Sequence, residues 1–306
     1  MRIFVTGVTG FLGRHLAGEL LARGHQVAGC ALEHARVPAG VELHAVPLAD
    51  AGELRRVVRQ HAPDRVIHLA GLAHVGTSWQ RMAEFFQVNV LGTEAVLDAA
   101  EGAPVMLASS AEVYGAVPEE EQPLGEDRPP APASPYALTK AAAERLVLRA
   151  GGVVVRLFNL IGPGQAPAFA LPSFARQLAA IAAGRQPPRL GVGNLEARRD
   201  FVHVADGAEA FALVTERGEA GRVYNVASGS SCSIRETLDR LVAISGVAPE
   251  IFLDERYLRP VDIALLRGSA APLRALGWQP RRGLDRALAD LWRWSVENEA
   301  MEESGP

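Results

Sequence analysis

Gly7, Gly10 and Gly13 stand at three-residue spacing immediately after the short apolar run Arg2-Ile3-Phe4-Val5-Thr6. The run suits a buried parallel strand, and Leu12, Leu16, Leu20 and Leu21 then recur with helical spacing. Strand, glycine turn and helix in this order seat a dinucleotide pyrophosphate on a helix N-terminus. Glycine is needed where the backbone turns tightly, comes close to the phosphates and packs against the strand. The spacing is G-x-x-G-x-x-G rather than G-x-G-x-x-G, and an ordinary βα turn also carries such glycines. Position decides between the two. Directly behind the first strand, the turn is read as a cofactor site that includes Gly7, Thr9, Gly10, Phe11, Leu12 and Gly13.

The chain continues by alternation. Strands are expected at 2–6, 26–31, 41–46, 65–69, 104–109 and 152–157, with helices at about 12–23, 50–60, 81–101 and 136–149. That pattern predicts an α/β fold, a Rossmann-type doubly wound parallel sheet. Gln122 to Pro135 is rich in proline and charge and is expected to be a surface loop. After Asn159 the chain breaks at Gly162-Pro163-Gly164, and a helix follows at about 170–184. A helix at 203–215 and a strand at 223–227 are expected to rejoin the sheet. The division read from this is a cofactor domain over 1–160, joined by about 203–227. A smaller C-terminal α/β substrate lobe takes 161–202 and 228–298, and 299–306 form a tail.

Composition narrows the function classes. With 48% hydrophobic and 22% charged residues the chain reads as soluble and globular. A net charge of -4 and scattered arginines leave no footprint for nucleic acid. Cys30 and Cys232 lack metal-ligand spacing and are too few for a disulfide framework, so no metal is expected. No apolar run has membrane-spanning length, and Arg14 and Glu19 interrupt the first helix, which is not read as a signal peptide. The expected compartment is the cytosol.

Tyr136-Ala-Leu-Thr-Lys140 places a phenol and an ammonium four residues apart, on one face of an expected helix. A fixed ammonium favours phenolate over phenol. The tyrosine pKa is therefore expected to fall from about 10 towards neutrality, where it exchanges protons in catalysis. Val105-Met106-Leu107-Ala108 reads as a buried strand with Ser109-Ser110-Ala111-Glu112 at its carboxyl end. Ligands bind at that end of open α/β sheets. Ser110 can hydrogen-bond a substrate oxygen there while Tyr136 moves the proton. Taken singly, each pattern is common.

Together, the glycine turn, Ser110 and the Tyr136–Lys140 pair resemble the extended short-chain dehydrogenase/reductase family, the NAD-dependent epimerases and dehydratases, over nearly the whole chain. His68-Leu69-Ala70, Asn89-Val90-Leu91-Gly92-Thr93, Arg199-Asp200-Phe201-Val202-His203-Val204 and Arg259-Pro260-Val261-Asp262 also match its motifs. The resemblance implies an NAD(P)-dependent enzyme in which Tyr136 is the general acid/base and Ser110 binds the reacting oxygen. Lys140 would hold the nicotinamide ribose and lower the tyrosine pKa. It also implies cofactor contacts from Leu48, Leu69, Ala70 and Asn89.

In family members acting on nucleotide-diphosphate sugars, the arginines matching Arg199 and Arg259 grip the diphosphate, a role suited to a guanidinium fork. Asn159 and Gly162-Pro163-Gly164-Gln165 would line the sugar cleft, with Arg176 on the following helix. Arg156 to Gln165 and Thr77-Ser78-Trp79 look most like the GDP-6-deoxy-D-mannose reductases, which reduce a 4-keto GDP-sugar. Glu112 stands where the related GDP-mannose 4,6-dehydratases place a catalytic carboxylate, so dehydration stays open. Nucleotide-sugar 4-epimerases are the third reading.

The adenosine end departs from the family pattern. The second strand ends Cys30-Ala31-Leu32, without the acidic residue that binds an NAD ribose, and Glu33 comes later. Pro47 stands where an aspartate is often found, with Asp50 further on. Arg14 or Arg36 would have to reach a 2′-phosphate. The cofactor expected is NADP or NAD, leaning to NADP. The helices at about 81–101 and 136–149 are apolar on more than one face, and the family resemblance implies a homodimer or homotetramer.

Overall fold

The computed structural model describes residues 1–258 and 261–303. β1 (Arg2–Thr6), α1 (Phe11–Ala22), β2 (Gln26–Ala31), β3 (Val41–Ala45), α2 (Ala51–His61) and β4 (Arg65–His68) open the fold. Next come α3 (Val75–Ser78) and α4 (Met82–Phe86), which runs through a π-helical stretch (Gln87–Leu91) into α5 (Gly92–Ala99). β5 (Val105–Ser110), α6 (Pro135–Arg149) and β6 (Val153–Leu157) complete the first half. The chain then crosses β7 (Asn159–Ile161), α7 (Ala170–Ala182), β8 (Arg189–Val192), β9 (Arg198–Arg199) and β10 (Phe201–His203). α8 (Val204–Arg217) and β11 (Val223–Val226) follow. The last stretch holds β12 (Cys232–Ser233), α9 (Ile234–Ser245), β13 (Glu250–Leu253), β14 (Leu265–Leu266), α10 (Ala271–Ala275) and α11 (Leu284–Glu303).

Seven strands make one parallel sheet in the order β3-β2-β1-β4-β5-β6-β11. The order reverses between β1 and β4, and that switch point is where an open α/β sheet binds its ligand. Strand residues point to alternate faces. Ile3 and Val5 of β1 join one core with Leu12, Leu16 and Leu20 of α1 and Phe211 of α8. Phe4 joins the other, with Leu54 and Val57 of α2, Val96 of α5 and Val147 of α6. Both faces are thus covered, which is why the strands read as continuous apolar runs. β11 returns to the sheet edge as expected, Val223 opposite Val154.

The remaining strands pair in small groups, β10 with β7, β13 with β8, and β12-β9-β14. Their core is separate: Leu171, Phe174 and Leu178 of α7 meet Leu238 and Leu241 of α9 and Leu288 and Leu291 of α11.

The segment from Gln122 differs from the surface loop expected. Leu124 and Gln122 are buried, and the Leu124 N–H donates to the Arg267 carbonyl at 2.8 Å. The Gln122 amide donates to the Val117 and Leu265 carbonyls and accepts from the Arg267 N–H. Side-chain bonds satisfy backbone groups that would otherwise be stranded by burial. Proline and charge content does not reveal such partners.

Candidate active site

Backbone approach builds the cofactor end. Gly7 has φ +72°, its N–H donates to the Cys30 carbonyl at 2.8 Å, and a Cβ there would lie 2.8 Å from the Ala70 nitrogen. A Cβ on Gly13 would lie 2.2 Å from the Gly7 carbonyl oxygen, so α1 can cross the turn only without one. Gly10 caps α1 with no side-chain hydrogen bond, and the first turn holds no acidic residue. The free N–H groups and the positive end of the helix suit an anion. The cradle therefore fits a dinucleotide pyrophosphate. Thr9 is half-buried beside it, Leu69 and Ala70 follow β4 against it, and Leu48 packs on Gly92 behind it.

The residues expected to transfer the proton come from α6 and β5. Ser134 caps α6 by accepting from the Ala137 N–H, and Pro135 fills the first turn. This sets Tyr136 inward, 7% exposed and edge-on to Phe85 at 6.3 Å. The Ser110 hydroxyl, at the carboxyl end of β5, lines the same cleft and acts on the phenol. Burial pushes the phenol up to about 12, against the pull of Ser110 and with a further push from the Glu112 charge. The expected fall towards neutrality is thus reversed.

Burial causes the reversal, and Lys140 is not among the groups that shift the phenol. Its Nζ donates instead to the Ala108 carbonyl at 2.9 Å, and burial lowers its own pKa to about 8, with Glu144 opposing. Of 31 lysines and arginines Lys140 is the only lysine, a signal in the sequence that would have singled it out.

Asn89 lies in the π-helical stretch, a geometry frequent at functional sites. Its amide bonds both backbone groups of Leu72 and the Thr139 hydroxyl. A Cβ on Gly71 would be 2.9 Å from Asn89 Oδ1 and 3.5 Å from Lys140 Nζ, so bare backbone roofs both groups.

A cleft of about 390 Å³ runs from Phe11 and Leu12 past Ser110, Glu112 and Tyr136 to Asn159 and Arg199. Arg199 is buried there; its guanidinium donates to Asp262 at 2.9 Å and to the Ile263 carbonyl at 2.7 Å. Arg176 sits elsewhere, on the exposed face of α7, outside the cleft lining. Arg259 lies outside the described residues. Asp200, quoted only within a motif, proves a hub. It accepts from the Ser228 N–H and hydroxyl at 2.8 and 2.7 Å, from Gly229 at 3.0 Å and from Gly268 at 3.2 Å.

The family model of the NAD dependent epimerase/dehydratase family matches residues 3–227. The chain belongs to this family. It is 36% identical to the GDP-6-deoxy-D-mannose reductase of Pseudomonas aeruginosa, over 97% of this chain and 99% of that one. The solved structure of RMD from Pseudomonas aeruginosa complexed with NADPH superposes with a TM-score of 0.85, 36% identity and coverage of 97% and 99%. The UDP-glucose 4-epimerase of Thermus thermophilus in complex with NAD gives 0.87, 33% identity and coverage of 96% and 99%. The chain is therefore an NAD(P)-dependent, nucleotide-sugar-modifying enzyme of the epimerase/dehydratase family.

The departures at the adenosine end take a definite form in this family member. Leu32, after β2, is 79% exposed. Asp50 accepts from the Glu53 N–H as the cap of α2. Arg14 reaches the Gly164 carbonyl at 3.3 Å, and His15 contacts the Pro163 carbonyl at 3.0 Å, tying α1 to the loop beside the cleft. Among the described residues no helix is long and apolar enough to cross a membrane.

Proposed function

We propose that the protein is a GDP-4-keto-6-deoxy-D-mannose 4-reductase. The observation that carries this reading is the Tyr136 phenol, buried against Phe85 and lining the cleft together with Ser110; burial pushes its pKa up to about 12. A group with that pKa holds its proton at neutral pH and is suited to give it up only when a strong base forms beside it. Reduction of a ketone creates such a base, an alkoxide. Bound nicotinamide supplies the hydride. Ser110 and Tyr136 are two donors aimed at the developing charge, and Tyr136 releases its proton. The 36% identity with a GDP-6-deoxy-D-mannose reductase supports the choice of sugar.

The same reading assigns Gly7, Thr9, Gly10, Phe11, Leu12, Gly13, Leu48, Leu69, Ala70, Asn89 and Lys140 to the cofactor, and Ser110, Asn159 and Arg199 to the sugar nucleotide. The lobe formed by 161–202 and 228–298 holds the sugar nucleotide in this reading. NADP is preferred, since no carboxylate ends β2 to bind a ribose 2′-hydroxyl and repel a 2′-phosphate. Met82 at the start of α4, Leu91 at the end of the π-helical stretch and Leu138 on α6 are exposed at 46%, 54% and 46%. These helices are assigned to a homodimer of a cytosolic enzyme, and light scattering at micromolar concentration is expected to give twice the chain mass.

Glu112 favours a second reading, dehydration of GDP-mannose, because it lines the cleft within electrostatic reach of Tyr136. Redox balance separates the two. With GDP-4-keto-6-deoxy-D-mannose the reductase oxidises one NADPH per sugar. Product from GDP-mannose without net cofactor use would establish the dehydratase instead.

A further inference from the structure

Tyr136, Lys140 and Glu144 follow one another at four-residue steps along one face of α6. The end of β5 meets this stripe level by level. Ser110 acts on the Tyr136 phenol, the Ala108 carbonyl accepts from Lys140, and the Ser109 hydroxyl donates to Glu144 Oε1. Glu144 is 2% exposed and also takes both arms of Arg156 from β6, Nε to Oε1 at 2.9 Å and Nη2 to Oε2 at 2.8 Å. Arg156 lies over the Tyr114 ring, 4.7 Å from its centroid, and donates to the Glu126 carbonyl. A buried ion pair is costly to desolvate and is often no better for stability than apolar side chains of the same size. Its place beside the stripe points to another use.

We propose that Glu144 is a positioning residue of the proton-transfer centre: it clamps the end of β5 to α6 through Ser109 and sets a carboxylate one helical turn from Lys140. The proposal rests on the reading of Tyr136 and Lys140 as that centre. The charged and titratable groups around Lys140 are Tyr136 and Glu144 on α6, His68 on β4, and Arg156 on β6, which is forked onto Glu144. His68 is neutral, pushed down to about 3 by burial and by Lys140 itself, and its ring is held between the Thr6 and Thr93 hydroxyls. Tyr136 is a neutral phenol. Glu144 is the group that opposes the effect of burial on Lys140.

The single lysine makes the idea directly measurable. Protein grown with ε-¹³C-lysine has one lysine side-chain signal, and its pH titration without cofactor reads Lys140. The wild-type midpoint is expected near 8. In E144Q/R156M, which replaces the pair by neutral side chains, it is expected to fall by about one pH unit or more. If that variant does not fold, E144Q alone carries the test with the same sign, since it removes the carboxylate and leaves Arg156 in place. S109A keeps both charges, so the midpoint stays while turnover falls at unchanged cofactor KM. A wild-type midpoint in folded E144Q/R156M or in E144Q, or full turnover in S109A, overturns the proposal. The titration needs no turnover, so its failure leaves the role of Tyr136 standing. That role fails separately, if Tyr136→Phe retains full activity.

Discussion

The two walls of the cleft are built on different principles. At the cofactor end, backbone meets backbone: Gly7 touches Ala70, Gly13 lies on the Gly7 carbonyl, and the bare first turn of α1 faces outward. At the sugar end, side chains do the joining. Asp200 gathers N–H groups from the segments at 228–229 and 268, and Asp262 bridges Asn194 to Arg199. A backbone wall presents one shape to a part of the ligand that every relative shares. A side-chain wall can be rebuilt residue by residue, which suits it to choosing among sugars and nucleotides.

This contrast can be broken experimentally. The largest effect is expected where the walls meet. Tyr136→Phe removes the proton donor and should lower turnover by about a hundredfold to ten-thousandfold, with cofactor affinity kept. Stopped-flow hydride transfer and a cofactor titration on the same sample would check both halves. Asp200→Ala comes next. It leaves buried N–H groups without an acceptor and should cost about 3 kcal/mol of stability. Calorimetry should show sugar-nucleotide binding lost and NADPH binding retained; loss of both would show that the walls are not separable. Gly13→Ala is the reverse test, costing about 2 kcal/mol from overpacking. Here NADPH affinity should drop while binding of the sugar nucleotide survives.

The smallest effect concerns Lys140. Burial holds its pKa at about 8, below the 10.5 of an exposed lysine. Between those values the folded state binds fewer protons than the unfolded one. The penalty is therefore in full force below pH 8 and fades as pH rises towards 10.5. Lys140→Met should be inactive, yet more stable than wild type by about 1 kcal/mol at pH 7, the unpaired Ala108 carbonyl offsetting part of the gain. Melting curves should converge by about pH 10. Turnover of the wild type should decline over the same range, as Lys140 loses its charge.

Much of the cofactor wall was readable because it depends on local rules. A glycine forced by a close approach, an apolar strand covered on both faces and a helix capped by Ser134 and Pro135 each leave a mark within a few residues. The seven strands therefore fall close to the expected positions. The same rules failed where partners come from far along the chain. Gln122 bonds Leu265 and Arg267 and is buried in a segment whose composition suggests a surface loop. Arg176 has the residue type of a diphosphate ligand but lies on the solvent side of α7.

Sequence alone determined the doubly wound sheet and the glycine turn behind its first strand, and it singled out Ser110, Tyr136 and Lys140 as candidates. Spacing and side-chain chemistry are properties of the chain itself. Only the tertiary structure decided their protonation. Burial raises the phenol and lowers the ammonium, and Glu144, joined to Ser109 and Arg156, opposes the second shift. Electrostatic energies depend on solvent exclusion and on charges brought together from distant strands, and neither exists before the chain is folded.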